Sequence, residues 1–175
     1  GLMVLGGSAE GVLHLRDRHG CEQLSAPLRL ERYQDRGEFW DAWDLAADYG
    51  EQSLGVEVLD GMQWVEQGPL VAHLVLRRRF GTSSLRIDVR LQANRPWLEL
   101  ICSTHWSQSH ELLRLNMPLA RPAVRVAADT SGGVIERPAS ASTAREAARW
   151  ELPVISWKTS QASAPGGGLA ASLDG

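Results

Sequence analysis

Residues 84–92 read Ser-Leu-Arg-Ile-Asp-Val-Arg-Leu-Gln. Leu85, Ile87, Val89 and Leu91 fall on one side of an extended chain, and Arg86, Asp88, Arg90 and Gln92 on the other. A period of two with one apolar face is the pattern of a half-buried antiparallel strand. Just upstream, LVAHLVLRRRF (70–80) alternates less cleanly, with Leu70, Ala72, Leu74 and Leu76 facing together. The junction FGTSS, with Gly81 and Ser83, reads as the turn of a hairpin joining the two.

The same period continues outward. After the turn ANRP, where Pro96 sets the entry, WLELICSTHW (97–106) places Leu98, Leu100, Cys102 and Trp106 on one side. ELLRLNMPL (111–119) aligns Leu113, Leu115 and Met117, and ARWELPVISW (148–157) aligns Ala148, Trp150, Leu152 and Val154. Toward the start, GVLHLRDRHGCEQL (11–24) reads as strand, turn and strand, with DRHG as the turn. SLGVEVLDGMQWVEQGP (53–69) reads as two strands broken by a turn at Asp60-Gly61. Helical periodicity is weak: AREAARW offers a turn or two of helix, with Ser142 and Thr143 at a loop tip. ASAPGGGLAA is flexible by composition, and no internal repeat is visible. About ten short strands with closely spaced turn signals predict an all-β fold, an antiparallel sandwich or barrel.

The chain has 175 residues, 43% hydrophobic and 22% charged, which suits one globular domain and argues against disorder. A net charge of -3 leaves no basic footprint, so nucleic acid is not an expected partner. Arg77, Arg78 and Arg79, and the pair Arg86 and Arg90, read as solvated faces. Cys21 and Cys102 are expected as reduced thiols, which favours a cytoplasmic location. No apolar run reaches the ~20 residues that span a bilayer, so no membrane partner is expected. A chain that opens on Gly1 and closes on SLDG is expected to be a piece of a longer protein, with Gly1 a tag remnant.

The chemistry concentrates in DRGEFWDAWD (35–44). Glu38, Asp41 and Asp44 are three carboxylates at intervals of three, beside Trp40 and Trp43. Glycosidases use two carboxyl groups ~5–10 Å apart, normally from different elements. An indole face matches the apolar face of a pyranose, yet the same tryptophans suit core packing. His105 and His110 point to opposite faces if both lie on a strand, which does not make a zinc site, and His73 sits on a polar face with no special role. No nucleophile elbow or phosphate loop is present. Arg137, in GVIERPAS, stands at a strand end, where binding residues and surface ion pairs both occur. From residues alone, the chain is an all-β domain with an aromatic-acidic patch and no complete catalytic set.

Four stretches in order change this reading: HLRDRHGCEQL (14–24), ERYQDRGEFWDAWDL (31–45), GGVIERPASASTAREAARWELPVISW (132–157) and GGGLAASLDG (166–175). Together they resemble the carboxyl-terminal β-domain of glycoside hydrolase family 38, the α-mannosidases. EQGPLVAHLVLRRRFGTSSLRIDVRLQANRPWLELICSTHW (66–106) and LLRLNMPL (112–119) resemble its central sandwich strands. The sequence departs from the family pattern at Ala139-Ser140, Ser142, Ser172 and the KTSQASAP segment (158–165).

The resemblance implies a large antiparallel β-sandwich like the galactose mutarotase supersandwich, forming one domain over residues 1–175. It implies a parent enzyme that is a retaining, zinc-dependent α-mannosidase. The zinc ligands and catalytic aspartates of that family lie in an α/β domain missing from this chain, so no catalytic residue and no metal ligand is assigned here. The implied partners are that catalytic domain of the same polypeptide and α-mannosides. Trp40, Asp41, Trp43, Asp44 and Arg137 are the candidate substrate or interface residues. Two other readings stay open: a non-catalytic carbohydrate-binding sandwich, and a scaffold for an enzyme of another specificity.

Overall fold

The computed structural model describes residues 3–4, 7–8, 11–17, 19–37, 45–56, 58–162 and 168–172. The protein is mostly β, with almost no helix among these residues. It divides into two compact units, Gly1–Ala120 and Arg121–Gly175.

The first unit holds β1 (Met3–Val4), β2 (Gly7–Ser8), β3 (Gly11–Val12), β4 (Leu15–Arg16), β5 (Arg29–Gln34), β6 (Ser53–Val56), β7 (Val58–Gln67), β8 (Val71–Phe80), β9 (Ser83–Gln92), β10 (Leu98–His105) and β11 (Glu111–Asn116). Two short ribbons pair β1 with β4 and β2 with β3. The larger sheets are antiparallel, ordered β10-β9-β8-β7 and β11-β5-β6. The hairpin read from residues 70–92 is the centre of the first, with Leu74 opposite Val89 and Leu76 opposite Ile87. Gly81 takes φ 55 in its two-residue turn, the left-handed conformation such turns require. A Cβ there would also meet the Gln108 side chain at 2.5 Å.

Alternation places Leu74, Leu76, Phe80, Leu85, Ile87 and Val89 in one core with Leu30 of β5 and with Val12, Leu15, Leu24 and Leu28. Burying each such side chain contributes ~1.5–3 kcal/mol. Leu98, Leu100, Leu113 and Met117 pack against it, as their periodicity predicts. Arg32 links the two sheets: its guanidinium lies 5.0 Å from the Phe80 ring centre, and its Nη1 donates to Glu111 at 2.9 Å.

Two expectations fail in this unit. Asp60-Gly61 is not a hairpin turn; β7 runs straight through it, with a bulge between Leu59 and Gly61. The full-length partner β8 keeps the strand extended, and glycine absorbs the extra residue. Arg78 is not on a solvated face but is 1% exposed. It shares the core-facing row of Leu74, Leu76 and Phe80, so position in the alternation outweighs charge.

The second unit holds β12 (Ala123–Thr130), β13 (Gly133–Pro138), α1 (Ala144–Ala147), β14 (Trp157–Ala162) and β15 (Gly168–Ser172), in the sheet order β13-β12-β14-β15. Ser142 and Thr143 are helix-start residues rather than a bare loop tip. The Thr143 hydroxyl accepts from the Glu146 N–H at 3.2 Å, and the Glu146 carboxylate returns to the Thr143 N–H at 3.2 Å and the Ser142 N–H at 2.7 Å. This is a capping box.

The strand expected over 148–157 does not form before Trp157. Pro153 has no N–H to give a ladder, and the neighbouring backbone groups are already engaged. Arg137 takes the carbonyls of Arg149 and Glu151, and Asp129 takes the N–H groups of Ser156 and Trp157. Of the segment expected to be flexible, Gly168–Ser172 forms β15 against β14, and residues 163–167 lie outside the described residues.

Candidate functional site

Residues 38–44, with Glu38, Trp40, Asp41, Trp43 and Asp44, lie outside the described residues. The structure describes the frame that carries them. At the end of β5, the Gln34 N–H donates to the Gln52 carbonyl at 2.9 Å, so the chain leaves and returns at one point. The Asp35 N–H donates to the His110 carbonyl at 2.8 Å, and the Asp35 carboxylate accepts from the Ala46 N–H at 3.4 Å. A 3-10 turn, Tyr49–Glu51, closes the return. A segment pinned at both ends is a common carrier of function.

β5, which leads into this segment, carries a polar sheet face. Leu30 and Arg32 turn toward the core, so Arg29, Glu31 and Tyr33 turn the other way, with Arg114 opposite Glu31 and Asn116 opposite Arg29 on β11. Glu31 is 7% exposed and accepts from the Tyr33 hydroxyl at 2.6 Å, Arg29 Nε at 2.6 Å and Asn116 Nδ2 at 2.9 Å. The Tyr33 hydrogen bond, then Arg29 and Asn116, hold its carboxyl below the usual range against the opposing effect of burial. The same bond pushes the Tyr33 phenol up. The Tyr33 and Tyr49 rings meet edge to face at 5.7 Å, and Arg114 donates to the Tyr49 hydroxyl. The network therefore runs from the middle of β5 to the returning end of the loop. Glu31 is locked as an ionised acceptor, so it positions its neighbours rather than exchanging protons.

Arg137 belongs to the second unit. It stands on β13 opposite Val126, and its Nη1 donates to the backbone carbonyls of Arg149 and Glu151. Among the described residues its partners are backbone carbonyls rather than a carboxylate. Its contacts bind the returning segment to the sheet.

The sequence matches the Glycosyl hydrolases family 38 C-terminal domain over residues 2–170. The chain belongs to this family. Alpha-mannosidase G of Dictyostelium discoideum is 27% identical over 137 residues, which cover 74% of this chain and 12% of that relative. The chain thus spans a small part of the curated relative it matches.

A second charged cluster in this family 38 domain lies on the face of β8 and β9 opposite the core. His73 is not a solvated residue: it is 7% exposed, and its Nε2 lies 2.7 Å from Asp88 Oδ1. Arg86 grips the same carboxylate at 2.6 and 2.9 Å. The Arg86 contact, then His73, lowers the Asp88 pKa to about 2 despite burial. Val75, 1% exposed, stands directly opposite Asp88 on that face.

The described residues do not fit a zinc site, since no three His, Cys, Asp or Glu side chains among them gather with metal-binding geometry. His105 Nε2 instead meets the Ser107 hydroxyl at 3.2 Å, and His14 pairs with Glu22 at 3.0 Å. Cys21 and Cys102 are both free thiols. A crevice of about 20 Å³, lined by Leu30, Leu76, Ile87, Leu100, Cys102 and Leu115, has room for one water and none for a sugar ring. Trp106 packs on Phe80 at 5.4 Å rather than facing solvent. No helix among the described residues is long and apolar enough to cross a membrane.

Reading the sequence missed Glu31, Tyr33, Arg114 and Asn116. The signal was present as RLERYQ, where Arg29, Glu31 and Tyr33 alternate with Leu30 at the period of a strand.

Proposed function

We propose that residues 1–175 are the carboxyl-terminal β-domain of a zinc-dependent, retaining α-mannosidase. In this reading the domain belongs to a supersandwich of the galactose mutarotase type. It packs on the catalytic α/β domain of the same polypeptide, helps close the mannoside site and is inactive alone. The carrying observation is the family match across residues 2–170, in a chain that corresponds to 12% of its mannosidase relative. Zinc belongs to the parent enzyme and supplies charge for positioning sugar hydroxyls there. This chain assigns no ligand to it.

The loop over 35–51 is the part of the domain that meets the catalytic site. Its pinned ends and the Glu31 network support this reading, because a loop that contacts substrate must be held in place from behind. Trp40 and Trp43 pack at the interface, and Asp41 or Asp44 reaches the mannose or orders a loop beside it. Arg137 holds the 149–151 backbone, which positions that segment toward the catalytic domain. The test is steady-state kinetics of Asp41→Ala and Asp44→Ala in the full-length enzyme. At least one variant is expected to lose ~10-fold or more in kcat/KM, the size of one lost polar contact in a transition state. Unchanged kinetics together with unchanged stability in both variants would refute the assignment.

A further inference from the structure

We infer that the outer face of the β10-β9-β8-β7 sheet, at Arg77 and Arg86, is a binding site for an oxyanion of the phosphate class. The inference stands on this face and does not depend on the mannosidase reading. Arg77 and Arg86 are Cα partners on neighbouring antiparallel strands, so both side chains leave the sheet on the side opposite the core. Like charges directly opposite each other on a sheet are destabilising. The pair therefore costs stability unless an anion lies between the two guanidiniums.

The nearby carboxylates do not fill that role. Asp88 takes Nε and Nη2 of Arg86 and also meets His73, so its oxygens are committed. Asp60 is held by Arg79 at 2.5 Å. No carboxylate among the described residues pairs with Arg77, which is exposed. Its partner on β7 is Gly61, where an added Cβ would meet nothing within 4 Å, so the space beside Arg77 is open. Three guanidiniums, of Arg77, Arg79 and Arg86, thus stand against two carboxylates, and one positive charge is left over.

Hydroxyl groups extend the donor set. Ser103 stands opposite Arg86 on β10, and Ser84 precedes Arg86 by two positions on β9, so both share its face. Both serines are exposed, and neither hydroxyl has a partner among the described residues. Arg86 is half-exposed and keeps its Nη1 beyond the Asp88 contacts. A guanidinium presents parallel N–H groups that match two phosphate oxygens, and a hydroxyl donates to a third. Donors on three strands suit a tetrahedral anion better than a flat carboxylate.

Arginine labelling of the full-length polypeptide with a dicarbonyl reagent, read peptide by peptide, provides the test. Two charge-assisted hydrogen bonds at an exposed site support a Kd on the order of 1 mM for inorganic phosphate. Phosphate at ~10 mM, compared with chloride at equal ionic strength, is therefore expected to slow labelling of Arg77 ~10-fold. The exposed Arg95, beyond the far end of β9, is expected to label at an unchanged rate. Arg77→Gln is expected to melt no lower than the unsubstituted protein at low salt, since it removes a like-charge contact, and to lose the upward shift that phosphate gives that protein. A hexose phosphate separates the two sources of the anion. Protection stronger than that of inorganic phosphate assigns the site to a phosphate ester, and equal or weaker protection assigns it to the free anion. Equal Arg77 labelling in phosphate and chloride would overturn the inference. So would protection of Arg95 to the same extent, or a phosphate-induced melting shift that survives Arg77→Gln.

Discussion

Replacing Glu31 with glutamine tests the network that holds the 35–51 loop. Three donors converge on this carboxylate, from Tyr33, Arg29 and Asn116, at 2.6, 2.6 and 2.9 Å. Hydrogen bonds to a charged group contribute ~1.5–3 kcal/mol each. Glutamine keeps one acceptor oxygen but turns an NH2 group toward a donor. The change therefore removes the Arg29 ion pair and leaves one partner facing like polarity. Arg29 is about a third exposed, so water recovers part of the loss.

A net cost of ~2–3 kcal/mol follows, or ~1–2 M urea in the midpoint of unfolding for an ordinary urea dependence. The folded-state pKa of Glu31 is depressed, so its contribution is fully present above the unfolded carboxyl pKa of ~4.3 and is lost as pH falls through the folded value. The cost of Glu31→Gln should accordingly be largest at pH 7 and shrink below pH ~4. Hydrogen exchange should quicken at Tyr49–Glu51, which Tyr49 links to Tyr33. A cost below ~0.5 kcal/mol at pH 7, or one independent of pH, would refute the reasoning.

Three further outcomes follow from the same structure. Asp88 titrates at about 2 rather than 3.8, a difference of ~2 kcal/mol before allowing for the half-exposed Arg86; urea titrations of Asp88→Asn should show a cost of ~1–2 kcal/mol at pH 6 that falls by about half at pH 3. Gly11→Ala should unfold the first unit or cost more than ~3 kcal/mol by the same assay. Gly11 has φ +128, and a Cβ there would lie 2.1 Å from the Leu28 carbonyl oxygen. Asp129, lowered to about 2 by the Ser156 hydroxyl and then the Trp157 N–H, should keep those contacts at pH 4; Asp129→Asn should speed exchange at Ser156 and Trp157 while leaving β8 and β9 unchanged.

Strands with clean alternation were legible. Residues 84–92, 98–105 and 111–116 carry their own period, and each finds an antiparallel partner that satisfies it. The failures share one cause, which is a distant partner overriding a local signal. Asp60-Gly61 is a turn dipeptide, but β8 holds it in a strand. Residues 148–156 alternate like a strand, but Arg137 and Asp129 take their backbone groups first. Arg78 and His73 look solvated in a list of residue types, yet their positions on β8 bury them. The tryptophans and acids at 38–44 stand out in the sequence, but they lie outside the described residues. The Glu31 network was not legible, because it joins residues of β5 and β11 that lie far apart in the chain and meet only through sheet pairing.

The central claim is that this family 38 domain serves a mannosidase site it does not itself contain. Hydrolysis of a chromogenic α-mannoside with zinc, by residues 1–175 alone and by the full-length polypeptide, tests it most directly. The account predicts no turnover by the chain alone and turnover by the full-length polypeptide. Turnover by the 175 residues alone would contradict it and make Glu38, Asp41 and Asp44 the first residues to replace. Silence in both would contradict it in favour of a carbohydrate-binding or scaffolding domain.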